Sequence, residues 1–169
     1  MRKLVVLKSV VDFIWIVTCI PAIPLLLFFT VFIFINPDAL DILFDIDYSI
    51  LKTPIITVQV FALLSVILAF ISIYCFYLFR KTLRYFQKVK PFHDQVIQNF
   101  YKIGYLLSGV GVTASVLFVV AQLLFKGQFK IHLGITPSLM LICLGLFFMV
   151  LSEVFKVAKN AKQENDLTI

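Results

Sequence analysis

Residues 55–79, IITVQVFALLSVILAFISIYCFYLF, contain no charged side chain in 25 consecutive positions. A membrane-spanning helix needs about 20 mostly apolar residues, so this stretch is long enough to cross a bilayer. Comparable apolar stretches lie on both sides of it, and together they predict spans at about 10–35, 55–79, 101–125 and 137–158. The predicted fold is therefore all-α: an integral membrane four-helix bundle, up-down-up-down, forming one domain over residues 1–169.

The composition agrees with a membrane protein and leaves no room for a soluble domain. Hydrophobic residues make up 62% of the chain, and mean hydropathy is +1.04. Charged residues are only 14%, compared with ~25% in soluble domains. The connections between the predicted spans are far shorter than the ~50 residues of the smallest folded domains.

The basic residues are concentrated at one end of the predicted spans. Twelve of the fifteen Lys and Arg residues precede span one, separate spans two and three, or follow span four. The positive-inside rule then places both termini and the segment 80–99 in the cytoplasm. Because these charges lie at membrane edges, we expect anionic lipid rather than nucleic acid as their partner. The twelve are Arg2, Lys3, Lys8, Arg80, Lys81, Arg84, Lys88, Lys90, Lys102, Lys156, Lys159 and Lys162.

The segment 80–99, RKTLRYFQKVKPFHDQVIQN, is predicted to be a basic cytoplasmic loop that mixes cationic and aromatic residues. Such a mixture can bind the phosphates of lipid head groups, or it can dock a cytosolic protein. Alternatively, span two continues for one or two turns, Pro91 ends it, and span three begins near Asp94. The predicted docking residues here are Arg80, Lys81, Arg84, Lys88, Lys90, Pro91 and Phe92.

The tail, residues 159–169, becomes acidic after Lys162 and ends in apolar residues. We expect it to fold back, pairing its acids with the basic loop and burying its last apolar side chains beside Phe92. A frayed terminus is the alternative. The acids are Glu164 and Asp166, and the apolar side chains are Leu167 and Ile169. The predicted docking residues of the tail are Glu164, Asp166, Leu167 and Thr168.

Small residues recur at helical spacing in three of the spans. Without a hydrophobic drive between helices in lipid, close packing of small residues supplies association. The stripes are predicted to face each other inside the bundle; alternatively, the span-three stripe is a homo-oligomer interface. The helix-packing residues are Ala62, Ser65, Ala69 and Ser72 in span two, Gly104, Ser108, Gly111 and Ser115 in span three, and Gly145 and Ser152 in span four.

Local signals predict several further features. Pro21 and Pro24 predict a kink in span one. Thr-Pro pairs at 53–54 and 136–137 predict a Thr cap and a Pro at the first helical position of spans two and four. After Asn36-Pro37 we expect a short interfacial helix. Its acids form a solvated external face or, alternatively, a site for a cation or cationic peptide; they are Asp38, Asp41, Asp45 and Asp47.

No set of residues indicates catalysis. The two histidines lie on opposite predicted sides, and the chain has no Gly-rich phosphate loop or nucleophile elbow. The three cysteines occupy different spans, so no disulfide framework is expected. Acids near span ends, Asp12 and Glu153, are expected to pair with Lys8 and Lys156, although an intramembrane acid can also serve ion or proton transfer. We expect no enzyme, no cofactor and no metal site.

Two segments carry a resemblance to a known family. The segment KVKPFHDQVIQNFYKIGYLL (88–107) and the tail LSEVFKVAKNAKQENDLTI (151–169), with the four-span layout, resemble the bacterial membrane family called domain of unknown function 2975. The resemblance implies a bacterial cytoplasmic membrane protein without established activity, often encoded beside a small helix-turn-helix transcription factor. The positions of this sequence that match the motifs of the family are Pro91, Phe92, Glu153, Phe155, Glu164, Asp166, Leu167 and Thr168.

These observations favour a non-enzymatic sensor or regulator of the cytoplasmic membrane. Its inner surface would dock a small cytosolic partner such as a helix-turn-helix transcription factor, and homo-oligomers are possible. The alternative is a small transporter or immunity-type protein that acts on a hydrophobic or cationic molecule.

Overall fold

The computed structural model describes residues 2–35, 54–88, 92–126 and 136–167, and these stretches are helical with no strand. The first span consists of α1 (Arg2–Ile14), a π-helical segment (Trp15–Cys19) and α2 (Ile20–Ile35). The other spans are α3 (Ile55–Gln87), α4 (Asp94–Lys126) and α5 (Pro137–Leu167). The predicted all-α fold is confirmed.

Four helical segments are long and apolar enough to cross a membrane. Large apolar side chains on every span point outward, including Phe28, Ile67, Val112 and Phe147. An outward apolar surface is stable in lipid, where every backbone polar group is satisfied within its own helix. The chain is a multi-pass membrane protein.

The helices are longer than the bilayer requires. α3 and α4 have 33 residues each and α5 has 31. At 1.5 Å per residue they measure about 46–50 Å, against ~30 Å for the hydrocarbon core. The segment 80–99 is therefore not mainly a loop: it is helical up to Gln87 and again from Asp94. No Gly or Pro lies between Ile55 and Pro91, so nothing stops α3 earlier, and the residue before a proline disfavours helical backbone angles.

Contacts between neighbouring helices show that they alternate in direction. Asp12 pairs with Arg80, and Asn99 contacts Thr82. The Ser152 hydroxyl donates to the carbonyl oxygen of Ile97 on α4. The ends at residues 2, 88, 92 and 167 therefore lie together, and we call this side of the bundle the charged end. The up-down-up-down order follows.

The closest helix pair is α4 with α5, and glycines form its contact. A Cβ added to Gly104 would lie 2.6 Å from the carbonyl oxygen of Gly145, and one added to Gly111 would lie 2.8 Å from the carbonyl oxygen of Ser138. The contact residues recur every seven positions, a spacing that keeps one seam facing its partner in a left-handed supercoil. They are Ile97, Gly104 and Gly111 on α4, and Ser138, Gly145 and Ser152 on α5.

The small residues of α3 are not part of this seam. Ala62 packs instead beside Val58 and Ile33, in the contact with the first span. Ser65 is exposed, and its hydroxyl donates to the carbonyl of Phe61 on its own helix. The expectation that all three stripes face each other is therefore not met at Ala62, which faces the first span, or at Ser65, which is exposed.

The first span packs against α3 alone among the described helices. Near the charged end the Trp15 ring stacks on Phe76 with centroids 6.2 Å apart. Near the other end Ile33 is almost completely buried against Val58. Among the described helices, α3 therefore carries the first span on one flank and α4 on the other.

The backbone pattern of the first span changes just before its prolines. The Ile20 N–H donates to the carbonyl of Trp15, five residues back, which defines the π-helical segment. Pro21 has no N–H and its ring crowds the preceding turn, so a wider turn at this point relieves the conflict. The chain then continues as α2 through Pro24.

The Thr-Pro prediction is confirmed for the fourth span. α5 begins at Pro137, and the Leu139 N–H donates to the Thr136 hydroxyl at 3.3 Å. In the second span Pro54 precedes the helix instead of forming its first position. The predicted interfacial helix and its acids lie outside the described residues; the acids are Asp38, Asp41, Asp45 and Asp47.

Candidate functional site

Three helices continue past the level at which the charged residues begin. Asp12 and Arg80 mark that level on the first span and α3. Coming from the membrane centre, the first charged residue is Lys102 on α4 and Glu153, next to Ser152, on α5. We call residues 81–88, 92–101 and 153–167 beyond this level the head. Eight residues of helix rise about 12 Å, so the head projects well beyond the hydrocarbon core.

The head has an aromatic core of its own. Phe86 of α3, Phe100 of α4 and Phe155 of α5 meet with ring centroids 5.6–6.1 Å apart. Phe92 lies 6.1 Å from Phe155, and Val96 beneath them is fully buried. Aromatic contacts at this spacing stabilise a fold beyond the area that they bury. The three helix ends are therefore fixed relative to one another rather than frayed.

Two buried polar contacts lie beside this aromatic core. The Asn99 amide donates to the Thr82 hydroxyl at 3.1 Å, and Thr82 in turn donates to the carbonyl of Leu78. The Ser152 hydroxyl donates to the carbonyl of Ile97 at 2.8 Å. Buried polar groups are tolerated when they are hydrogen-bonded, and these contacts fix the rotation of each helix.

An exposed row of cations runs along the head part of α3. Lys81, Arg84 and Lys88 follow an i, i+3, i+7 spacing, which places them on one helix face. All three side chains are exposed, and among the described residues none of them forms an ion pair. We call this row the basic stripe. Its chemistry suits an acidic surface.

Arg80 has a different role from the stripe beside it. Its guanidinium donates to the Asp12 carboxylate and lies 5.8 Å from the centroid of the Trp15 ring. Lys8 also approaches Asp12, at 3.8 Å. Arg80 therefore joins the first span to α3 and is not available for docking. The expected Lys156–Glu153 pair is present at 3.3 Å.

The outer part of the head is held by contacts between α4 and its neighbours. Lys159 donates to Asp94 at 2.5 Å, and this bond holds the pKa of the Asp94 carboxyl below its usual value. The Tyr85 ring stacks on His93 with centroids 5.1 Å apart. Both contacts fix the start of α4 against the two flanking helices.

The predicted fold-back of the tail is wrong. α5 continues as one helix to Leu167, twelve residues past Phe155, which places this end about 18 Å further along the axis. Phe92 packs against Phe155, with ring centroids 6.1 Å apart. No Gly or Pro follows Phe155 that would let the chain turn.

The remaining predicted docking residues are only partly described. Glu164 is exposed on the last turns of α5. Lys90, Pro91 and Thr168 lie outside the described residues, as do the side chains of Asp166 and Leu167. Within the described stretches, no group of three or more His, Cys, Asp or Glu side chains could hold a metal ion.

The cross-helix pairs Asp12–Arg80 and Asp94–Lys159 were missed from the sequence. Each joins residues more than 60 positions apart, whereas the sequence showed only the local i+3 and i+4 partners. A usable signal exists for the first pair: Asp12 and Arg80 lie at matching depths, near the charged end of adjacent predicted spans.

Comparison with known families settles the relationship of the chain. The family model described as "Protein of unknown function (DUF2975)" matches residues 45–169, which is most of the chain. The chain belongs to this family. The match confirms the resemblance noted from the sequence, and it covers the second to fourth spans but not the first. Comparisons with curated proteins and with solved structures found no match.

Proposed function

We propose that this member of the family is a non-enzymatic regulator of the bacterial cytoplasmic membrane whose head docks a small cytosolic protein. The observation that carries the proposal is the head itself. Three helices leave the membrane as one packed unit and present the basic stripe, Lys81, Arg84 and Lys88, on its surface.

The construction of the head supports docking better than simple solvation. Helix ends that merely extend into water do not need a common hydrophobic core. In the head, however, Phe86, Phe100 and Phe155 pack against one another. A rigid surface binds more tightly than a flexible one because less conformational entropy is lost on association. The cations of the basic stripe form no ion pair with the part of the chain that the structure describes, and they favour a partner with a complementary acidic face.

The orientation of the head is the second part of the proposal. The positive-inside rule places the charged end in the cytoplasm. A cysteine introduced at Lys88 should react with a membrane-impermeant maleimide only after permeabilisation, whereas one at Asp41 should react in intact cells. Because the natural Cys143 is exposed, both variants should be made in a Cys143→Ser background. The opposite labelling pattern would invert the topology and remove the cytosolic partner.

Docking itself is tested by photo-crosslinking in cells with the full chain. A photoreactive residue at Lys88 should give an adduct with one cytosolic protein of defined size, and one at the outward-facing Phe147 should give only lipid adducts. Arg84→Glu should reduce the Lys88 adduct several-fold, because it places a carboxylate in the basic stripe. Lys162→Glu, also in the head but on α5, serves as the matched charge control.

Two results would refute the docking proposal. One is a Lys88 site that gives no protein adduct, or the same adducts as Phe147. The other is an adduct whose yield falls equally in Arg84→Glu and Lys162→Glu, which would show a general charge effect rather than recognition by the basic stripe.

A further inference from the structure

A crevice opens between α4 and α5 at the level where the charged residues begin. Its volume is about 280 Å³. Lys102 and Tyr101 line it from α4, and Lys156 and Glu153 line it from α5. Lysines and tyrosines at this depth lie where the head groups of a bilayer lie. The crevice lies between α4 and α5, whereas the basic stripe lies on α3. A ligand in the crevice is therefore independent of the proposed function.

The charges in the crevice favour an anion. Lys156 is paired with Glu153 at 3.3 Å, whereas Lys102 is exposed and forms no ion pair within the described residues. Two ammonium groups and one carboxylate leave the crevice with a net positive charge. Tyr101 and the exposed Gln98 add hydrogen-bond donors along the same wall.

An apolar groove of about 510 Å³ begins one helical turn further toward the membrane centre, at Tyr105. It passes over Gly109, between Leu68 of α3 and Leu146 of α5. A Cβ added at Gly109 would meet nothing within 4 Å, so the groove is open above this residue. From Lys102 to Thr113, where the groove ends on α4, the helix rises about 16 Å, which is roughly half of the hydrocarbon thickness.

We infer that crevice and groove together bind one anionic phospholipid. The head-group phosphate lies between Lys102 and Lys156, and an acyl chain follows the surface of α4 across Gly109. Two observations favour a lipid over other ligands: the cationic crevice lies at head-group depth, and the apolar groove that continues from it has the length of one leaflet.

The test uses the purified full chain in mild detergent, with phosphatidylglycerol and phosphatidylcholine as probes and native mass spectrometry as the readout. Phosphatidylglycerol should bind the wild type with one-to-one stoichiometry and more tightly than phosphatidylcholine. The double variant Lys102→Gln, Lys156→Gln should lower the affinity for phosphatidylglycerol about tenfold, because each basic residue near a membrane surface contributes modestly to anion binding. Its affinity for phosphatidylcholine should not change. Lys162→Gln, an exposed lysine beyond the crevice, should change neither.

A second variant tests the groove. Gly109→Leu places a side chain in the groove, and its Cβ meets nothing within 4 Å. It should therefore weaken the binding of phosphatidylglycerol several-fold while the melting temperature of the lipid-free protein does not fall, because leucine is a better helix former than glycine. Glycerol 3-phosphate alone should not compete with the lipid. The proposal is overturned if the two lipids bind equally, if the double lysine variant binds as the wild type does, or if glycerol 3-phosphate competes at the affinity of the lipid. It is also overturned if the wild type is a dimer that Gly109→Leu dissociates, because the groove would then be an interface between copies.

Discussion

Gly104→Ala should destabilise the bundle more than its single added methyl group implies. The new Cβ would lie 2.6 Å from the Gly145 carbonyl oxygen and 2.8 Å from the backbone nitrogen of Met149, both fixed backbone atoms. To regain an ordinary contact of 3.4 Å, the helices must separate locally by about 0.8 Å. A gap of that size forfeits a quarter to a half of the dispersion attraction along the seam. We therefore expect the free energy of unfolding to fall by about 2–3 kcal/mol.

The matched control is Gly109→Ala, the same substitution on the same helix. Nothing lies within 4 Å of the added Cβ, and alanine is the better helix former by about 1 kcal/mol. Unfolding in mixed micelles with increasing sodium dodecyl sulfate, followed by circular dichroism, measures both free energies. If the two variants shift the midpoint equally, close approach of the helices at Gly104 is not what stabilises the bundle.

Three further outcomes follow from the contacts. In a double-mutant cycle of Asp12→Asn and Arg80→Gln, the unfolding midpoints should give a coupling energy of about 1 kcal/mol, since the pair is partly exposed; additive effects would contradict a direct pair. Asn99→Leu alone should cost about 1–3 kcal/mol, because it leaves Thr82 without its donor, whereas adding Thr82→Val should recover part of that loss. Deleting residues 167–169 should leave the melting temperature in detergent unchanged, because the continuous last helix holds this end away from the aromatic core; a clear drop would restore the folded-back tail.

The fold could be predicted because a membrane imposes one strong rule on the sequence. The uncharged stretch 55–79 cannot remain in water and cannot expose backbone in lipid, so it must be a helix. The close approach of α4 and α5 was also indicated by the small residues, because at Gly104 and Gly145 only a residue without a Cβ fits against the facing backbone. In these cases the residues of one segment are enough to predict the feature, without knowledge of what they pack against.

The head could not be predicted in the same way. Hydropathy stops marking a helix where charges begin, so the predicted spans ended at residues 79 and 158. The continuation of span two to Pro91 and the start of span three near Asp94 stood as the alternative, and the structure agrees with it. The continuation of α3 and α5 depends on cross-helix packing of Phe86 and Phe155, which no local pattern shows. The same holds for the α3 stripe: Ser65 has a bundle-like spacing, yet its hydroxyl is satisfied by its own helix and faces outward.

The Asp12–Arg80 pair has a consequence for the order in which the protein is made. Asp12 leaves the ribosome 68 residues before Arg80, so the first span enters the membrane while its cross-helix partner is still untranslated. A carboxylate near the edge of the bilayer is costly without a counter-charge. Lys8, one turn away on the same helix, is available from the start. Before insertion of the second span brings Arg80 alongside, Lys8 is thus a cation that Asp12 can already reach on its own helix.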